Sequence, residues 1–179
     1  MPHQIVFVAG SPSKSSRSAS LFRRIVAGTE RHGIAATTIE VRDLPPADLL
    51  GGARDSSALA PAVAALAAAR GVVVATPVYK AAYTGLLKCF LDILPEAALR
   101  GKVAFPIVTA AAPAHALALD YALKPVLASL FPTRTLAGFF AIDGEFVADA
   151  SGVLDLKPEA AARLDAMIAD FVAALEGLT

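Results

Sequence analysis

Cysteine is almost absent from this chain. Cys89 is the single one in 179 residues, which excludes an internal disulfide and any cluster of cysteine metal ligands, and no metal site is expected. Its neighbours Leu86, Leu87, Lys88, Phe90 and Leu91 read as a helix interior, so the thiol is expected to be buried and inert. An excess of either charge is missing as well, because 16 Lys and Arg balance 16 Asp and Glu. With no surplus cations to displace counterions, nucleic acid and acidic membrane surfaces are poor partners, and small molecules or other proteins remain. Long hydrophobic runs are also lacking. The longest weakly polar stretch, Val103 to Leu119, is interrupted by Pro106, Thr109, Pro113 and His115 and falls short of the roughly 20 apolar residues of a membrane-spanning helix. The run Ile5 to Ala9 has no basic region ahead of it, so no secretory signal is expected and the cytoplasm is the expected compartment. Hydrophobic residues make up 56% of the chain, but forty of its residues are alanine, which raises the apolar fraction without adding bulk.

What the chain does have is a regular alternation of short apolar runs with longer helical stretches, over a length that suits one compact domain. Ile5 to Ala9 is continuously apolar, as a strand covered on both faces must be. Ser18 to Arg31 follows as a helix with Leu21, Phe22, Ile25 and Val26 on one face. Thr37 to Val41, the run after Gly71 (Val72 to Ala75), Val103 to Val108 and Thr135 to Ile142 read as further strands, with Pro106 marking a bulge or a demoted position. Ser57 to Ala69, Thr84 to Leu94, His115 to Leu130 and Pro158 to Leu175 read as helices, with a kink or break expected at Pro125. Five strands alternating with five helices predict an α/β fold: a five-stranded parallel sheet with helices on both faces.

Ligands of such open sheets bind outside the carboxyl ends of the strands, which singles out three loops. The first, Gly10 to Ser20, combines hydroxyls with Lys14 and Arg17 at a helix N-terminus, where backbone N–H groups also collect; it suits a phosphate monoester. It lacks the three spaced glycines of a dinucleotide fingerprint and the Gly-Lys-Ser/Thr ending of a P-loop. The second, Thr76 to Gly85, carries Tyr79 and Tyr83 beside Pro77 and could form a stiff apolar rim for a flat heteroaromatic ring. The third, Thr109 to His115, is poor in side chains, so backbone can approach a ligand closely.

These loops resemble those of the NADPH-dependent FMN reductases of the flavodoxin-like superfamily, in particular those that serve bacterial alkanesulfonate monooxygenases. The likeness rests on Ala9-Gly10-Ser11-Pro12, on Arg17-Ser18 with Ser20, and on Ala75 to Tyr83 followed by Gly85 and Leu87-Lys88. It continues through Leu91-Asp92, Leu94-Pro95-Glu96, Gly101-Lys102-Val103, Ala114-His115 and Asp120 to Leu127, and fades beyond about residue 130. The resemblance implies a flavodoxin-like fold and hydride transfer from NADPH or NADH to FMN. It assigns the phosphate to Ser11, Arg17, Ser18 and Ser20, the flavin ring to Pro77, Val78, Tyr79 and Lys80, and the pyrimidine side to Thr109, Ala110 and Ala111. It also implies a homo-oligomer, dimer or tetramer, with Tyr121 at a π-helical bulge in the interface, and a flavin-dependent sulfonate monooxygenase as the partner that receives reduced flavin.

Two departures from the family pattern suit an exchangeable flavin: Ser13 stands where an Arg is common, and Ala110-Ala111 replaces a paired Gly. No residue is expected to act as a catalytic acid or base, and His115 reads as a helix-start or interface residue, because the cofactor carries the chemistry. An FMN-bound quinone or azo reductase would use the same loops. A non-enzymatic FMN electron carrier is disfavoured, since small carriers of that kind are usually strongly acidic.

Overall fold

Continuous apolar runs become the centre of one sheet. The computed structural model describes residues 4–14, 16–150 and 152–178, and only the backbone of Ser18 and Ala19. Strands β1 (Gln4–Ala9), β2 (Ala35–Glu40), β3 (Gly71–Pro77) and β4 (Val103–Ala110) pair in parallel, and the short strands β5 (Arg134–Thr135) and β6 (Phe139–Ile142) both pair with β4. The order is β2-β1-β3-β4-β5, with β6 continuing the β5 edge. Alternate residues of each strand feed two cores. Ile5, Phe7, Val73, Phe105 and Ile107 meet helices α1 (Ser18–Glu30) and α6 (Pro158–Glu176) on one face. Val6, Val8, Val72, Val74 and Val108 meet α3 (Ala60–Ala68) and α4 (Gly85–Ile93) on the other, together with the segment 118–128. This two-sided burial is why the strands read as unbroken apolar runs. No helix among the described residues is long and apolar enough to cross a membrane.

The fold departs from expectation at five places. A short helix, α2 (Pro46–Leu50), lies between the strand Thr37 to Val41 and the helix Ser57 to Ala69, where no element is expected, and is entered through Pro46 at its first turn. A small antiparallel hairpin, β7 (Phe146–Ala148) and β8 (Leu154–Leu156), precedes α6; strands of three residues are too short to show a periodicity. Cys89 is only half-buried on α4, not fully buried. The expected strand Thr135 to Ile142 is two strands. Between the pairs Ala104↔Thr135 and Ile107↔Phe139 the edge chain spends one residue more than β4, so the bulge lies opposite Pro106 on the neighbouring strand. The physical reason is that Leu136 N–H donates to Ala104 O, which makes alternate β4 residues face this edge, and Pro106, next in that alternation, has no N–H to give. Gly138 closes the bulge with φ +87°, and a Cβ there would lie 2.8 Å from Pro106 O.

The expected helix from His115 to Leu130 is three segments. A 3₁₀ turn (Pro113–His115) leads into a π-helix (Ala118–Leu123) and then α5 (Lys124–Ala128). Lys124 N–H donates to Leu119 O, five residues back, which is the defining π bond. Pro125 follows at once. In an α-helix its ring would crowd the carbonyl of Tyr121, and the widened turn is where that conflict is absorbed. Tyr121 itself projects from this segment and is 79% exposed.

Candidate active site

The carboxyl ends of β1, β3 and β4 are knitted together by backbone and threonine hydrogen bonds before any side chain reaches outward. Gly10 N–H donates to Ala75 O at 2.8 Å, and Val78 N–H donates to Thr109 O at 2.8 Å, so each end holds its neighbour. Gly10 is required by space: a Cβ there would sit 2.8 Å from Cβ of Leu87. Thr84 joins all three parts. Its hydroxyl donates to Gly10 O at 2.5 Å and accepts from Leu87 N–H at 3.1 Å as the N-cap of α4, while its own N–H donates to Thr76 Oγ1 at 3.1 Å. Sequence reading passes over Thr84, although a Thr directly before Gly85 and an apolar helix is an N-cap signal.

In the first loop Ser11 is buried, and its Oγ accepts from Ser13 N–H at 3.2 Å, which leaves the hydroxyl proton to donate. Arg17 stands at the start of α1. Its Nη2 pairs with Asp143 Oδ2 at 2.9 Å, its guanidinium lies 5.6 Å from the ring centroid of Phe146, and its Nε–H is buried with no hydrogen-bond partner. Ser20 is buried, and its hydroxyl donates to Arg17 O at 2.9 Å, which ties it to the helix start. The backbone of Ser18 opens α1, and its side chain lies outside the described residues. A cation that sequence reading misses comes from the end of β2: Arg42 Nη1 donates to Ser13 O at 3.3 Å and pairs with Glu40 at 2.8 Å. It meets the loop at the position where the family's usual Arg is replaced by Ser13.

The second loop is a tight turn. Tyr79 and Ala82 exchange backbone hydrogen bonds at 2.8 and 3.2 Å, and the two residues between them, Lys80 and Ala81, take φ values of +50° and +66°. Left-handed backbone at two residues with side chains is strain of about 1–3 kcal/mol each, retained where a loop must hold a special shape. The result is a half-buried Pro77 and Val78 behind an exposed Tyr79 and Lys80. Burial, opposed by Lys88 and supported by Asp92, pushes the Tyr83 phenol above its ordinary value, so it keeps its proton at neutral pH. In the third loop Thr109 and Ala110 prove to be the buried last residues of β4, and Ala111 is the first to emerge. His115 sits in the 3₁₀ turn with Nδ1 buried and unpaired.

A parallel sheet in this order, with its candidate site at the carboxyl ends of the central strands, defines the flavodoxin-like class. A solved flavodoxin of Bacillus cereus shares the fold, with a TM-score of 0.64 at 15% identity over 96% of this chain and 97% of that one. Residues 3–146 match the NADPH-dependent FMN reductases, and the chain belongs to that family, as a flavin reductase. It is 46% identical to a Pseudomonas putida FMN reductase (NADPH) over 83% of this chain and 75% of that protein. It is 42% identical to an Escherichia coli FMN reductase (NADPH) over 96% and 90%. The apo structure of an NADH:FMN oxidoreductase superposes with a TM-score of 0.86 at 40% identity, covering 98% of this chain and 91% of that one.

Proposed function

We propose that the three loops form one flavin site, with the FMN phosphate in the first loop and the ring against the second and third. The observation that carries this reading is the buried, unpaired Nε–H of Arg17 at the start of α1. A cationic donor without an acceptor, beside the free N–H groups and positive end of a helix, is what a phosphate dianion fits. Ser11 donates its hydroxyl proton there, Ser18 contributes from the helix start, and Ser20 supports the turn. Pro77 and Val78 back the ring, Tyr79 and Lys80 form its rim, and Thr109, Ala110 and Ala111 bring backbone to its polar edge. When bound, FMN accepts hydride from the nicotinamide of NADPH or NADH; the protein orients the two and needs no acid or base of its own.

The reduced flavin is passed to a flavin-dependent monooxygenase acting on sulfonates, as the likeness in the loops suggests. The exposed Tyr121 on the π segment serves an interface between copies of the chain. Oxidation of NADPH and of NADH is measured with FMN, FAD and riboflavin as separate acceptors. Arg17→Ala lowers the preference for FMN over riboflavin. Equal losses with both flavins would refute the phosphate role.

A further inference from the structure

Arg17 is held from two sides before any ligand arrives. Asp143, which binds its Nη2 at 2.9 Å, lies in the short turn Asp143–Glu145 that follows β6, far from the first loop in the chain. Phe146, the next residue after that turn, presents its ring to the guanidinium. The turn is fixed independently of Arg17. Glu145 accepts from Ile142 N–H at 2.9 Å and from Arg163 Nη1 of α6 at 2.8 Å, and its carbonyl accepts from Lys157 N–H at 2.8 Å. Asp143 therefore stands on a post anchored to the C-terminal helix, and the post reaches the first loop, where Arg17 keeps a donor to spare.

The geometry points to Asp143 as a positioning residue: with the Phe146 ring it holds the Arg17 guanidinium in place, so that the buried Nε–H is ready for the phosphate of FMN. This inference rests on the phosphate reading of Arg17. A long side chain pays an ordering cost each time it closes on a ligand, and one already ordered does not. As a stabilising ion pair the contact counts for little, because both side chains are over one-third exposed, at 35% and 43%. Its value lies in orientation. The opposite effect is also physical: a carboxylate beside the phosphate would repel it, and a competing Asp143 would weaken FMN binding. The structure favours positioning, because Asp143 engages Nη2 and leaves Nε–H unpaired.

Equilibrium titrations of FMN and of riboflavin, read by quenching of flavin fluorescence, separate these outcomes for the wild type, Arg17→Ala, Asp143→Asn and the double variant. Asp143→Asn lowers the ratio of FMN to riboflavin affinity about three- to tenfold, and adds nothing further once Arg17 is Ala. Phe146→Leu lowers the ratio in the same direction by removing the ring alone, and thermal melts of each variant identify any loss of folding. A ratio that rises in Asp143→Asn makes Asp143 a competitor and overturns the proposal, as does a ratio that stays at the wild-type value while Arg17→Ala lowers it. If Arg17→Ala leaves the ratio unchanged, the phosphate reading itself has failed and this inference falls with it.

Discussion

Replacing Thr84 with Val removes one oxygen from the junction of β1, β3 and α4 and keeps the shape of the side chain. That oxygen makes two hydrogen bonds, to Gly10 O at 2.5 Å and from Leu87 N–H at 3.1 Å, in a residue that is 2% exposed. Loss of the N-cap costs about 1 kcal/mol. Leaving the buried Gly10 carbonyl without a donor costs about 1–3 kcal/mol more, because water cannot reach it. The sum is about 2–4 kcal/mol, and in a chain of this size each kcal/mol lowers the melting temperature by roughly 2–4 °C. Thr84→Ser is the control. It keeps the oxygen and gives up a single methyl, at about 0.8 kcal/mol. Urea unfolding followed by circular dichroism measures both variants against the wild type. If Val and Ser at this position unfold at the same midpoint, the hydroxyl does not hold the junction, and the argument that threonine chemistry fixes the first loop is wrong.

Ala81→Gly should stabilise the protein. Relief of a left-handed Ala, about 1–2 kcal/mol, outweighs the extra chain entropy of Gly, about 0.5–1 kcal/mol, so the urea midpoint rises with an unchanged slope. Lys102 donates to Ala67 O and Ala69 O at 2.7 and 2.6 Å, closing the C-terminal end of α3, and burial holds its amine below the ordinary lysine value of 10.5. The unfolded chain therefore binds this proton more tightly than the folded one. The resulting penalty is full at neutral pH and is relieved as pH rises towards 10.5, so the stability of the wild type relative to Lys102→Met increases over that window. A flat difference would refute the shift. Tyr121→Ala removes an exposed ring and should change the stability of the chain by no more than about 0.5 kcal/mol. Light scattering should nevertheless show a smaller assembly, and an unchanged mass would exclude Tyr121 from an interface.

Much of the architecture was legible because its cause is local. The runs at Ile5, Val72 and Val103 are apolar on both faces, and only a covered parallel strand needs that. The three loops were legible for the same reason, since each lies directly after such a run. What escaped has causes distant in the chain. The break at Gly138 answers to Pro106 on another strand, and between Thr135 and Ile142 the glycine alone hints at it. The restraint on Arg17 comes from Asp143, and the cation near Ser13 comes from Arg42; neither partner carries a local pattern that would flag it. The bond from the Ser20 hydroxyl to Arg17 O was not legible either, because a serine near a helix start suits an anion and suits the chain's own carbonyl equally well.

The extra residue opposite Pro106 has a consequence for how this edge can vary. Phe139 stands beside Ile107, and both enter the core under α6, whereas Val108, one position further along β4, enters the opposite core. Removing one residue from the stretch 136–138 would leave three steps on both chains, so the bulge would vanish while Phe139 stays beside Ile107. Adding one with the bulge kept would set Phe139 beside Val108 and turn β6 inside out, with Phe139 and Ala141 delivered to the wrong layer. Removing two would set Phe139 beside Pro106, one position before Ile107 and of the opposite facing. The bend thus accepts the loss of its one extra residue, and a further step of one in either direction reverses which layer of the protein the edge strand serves.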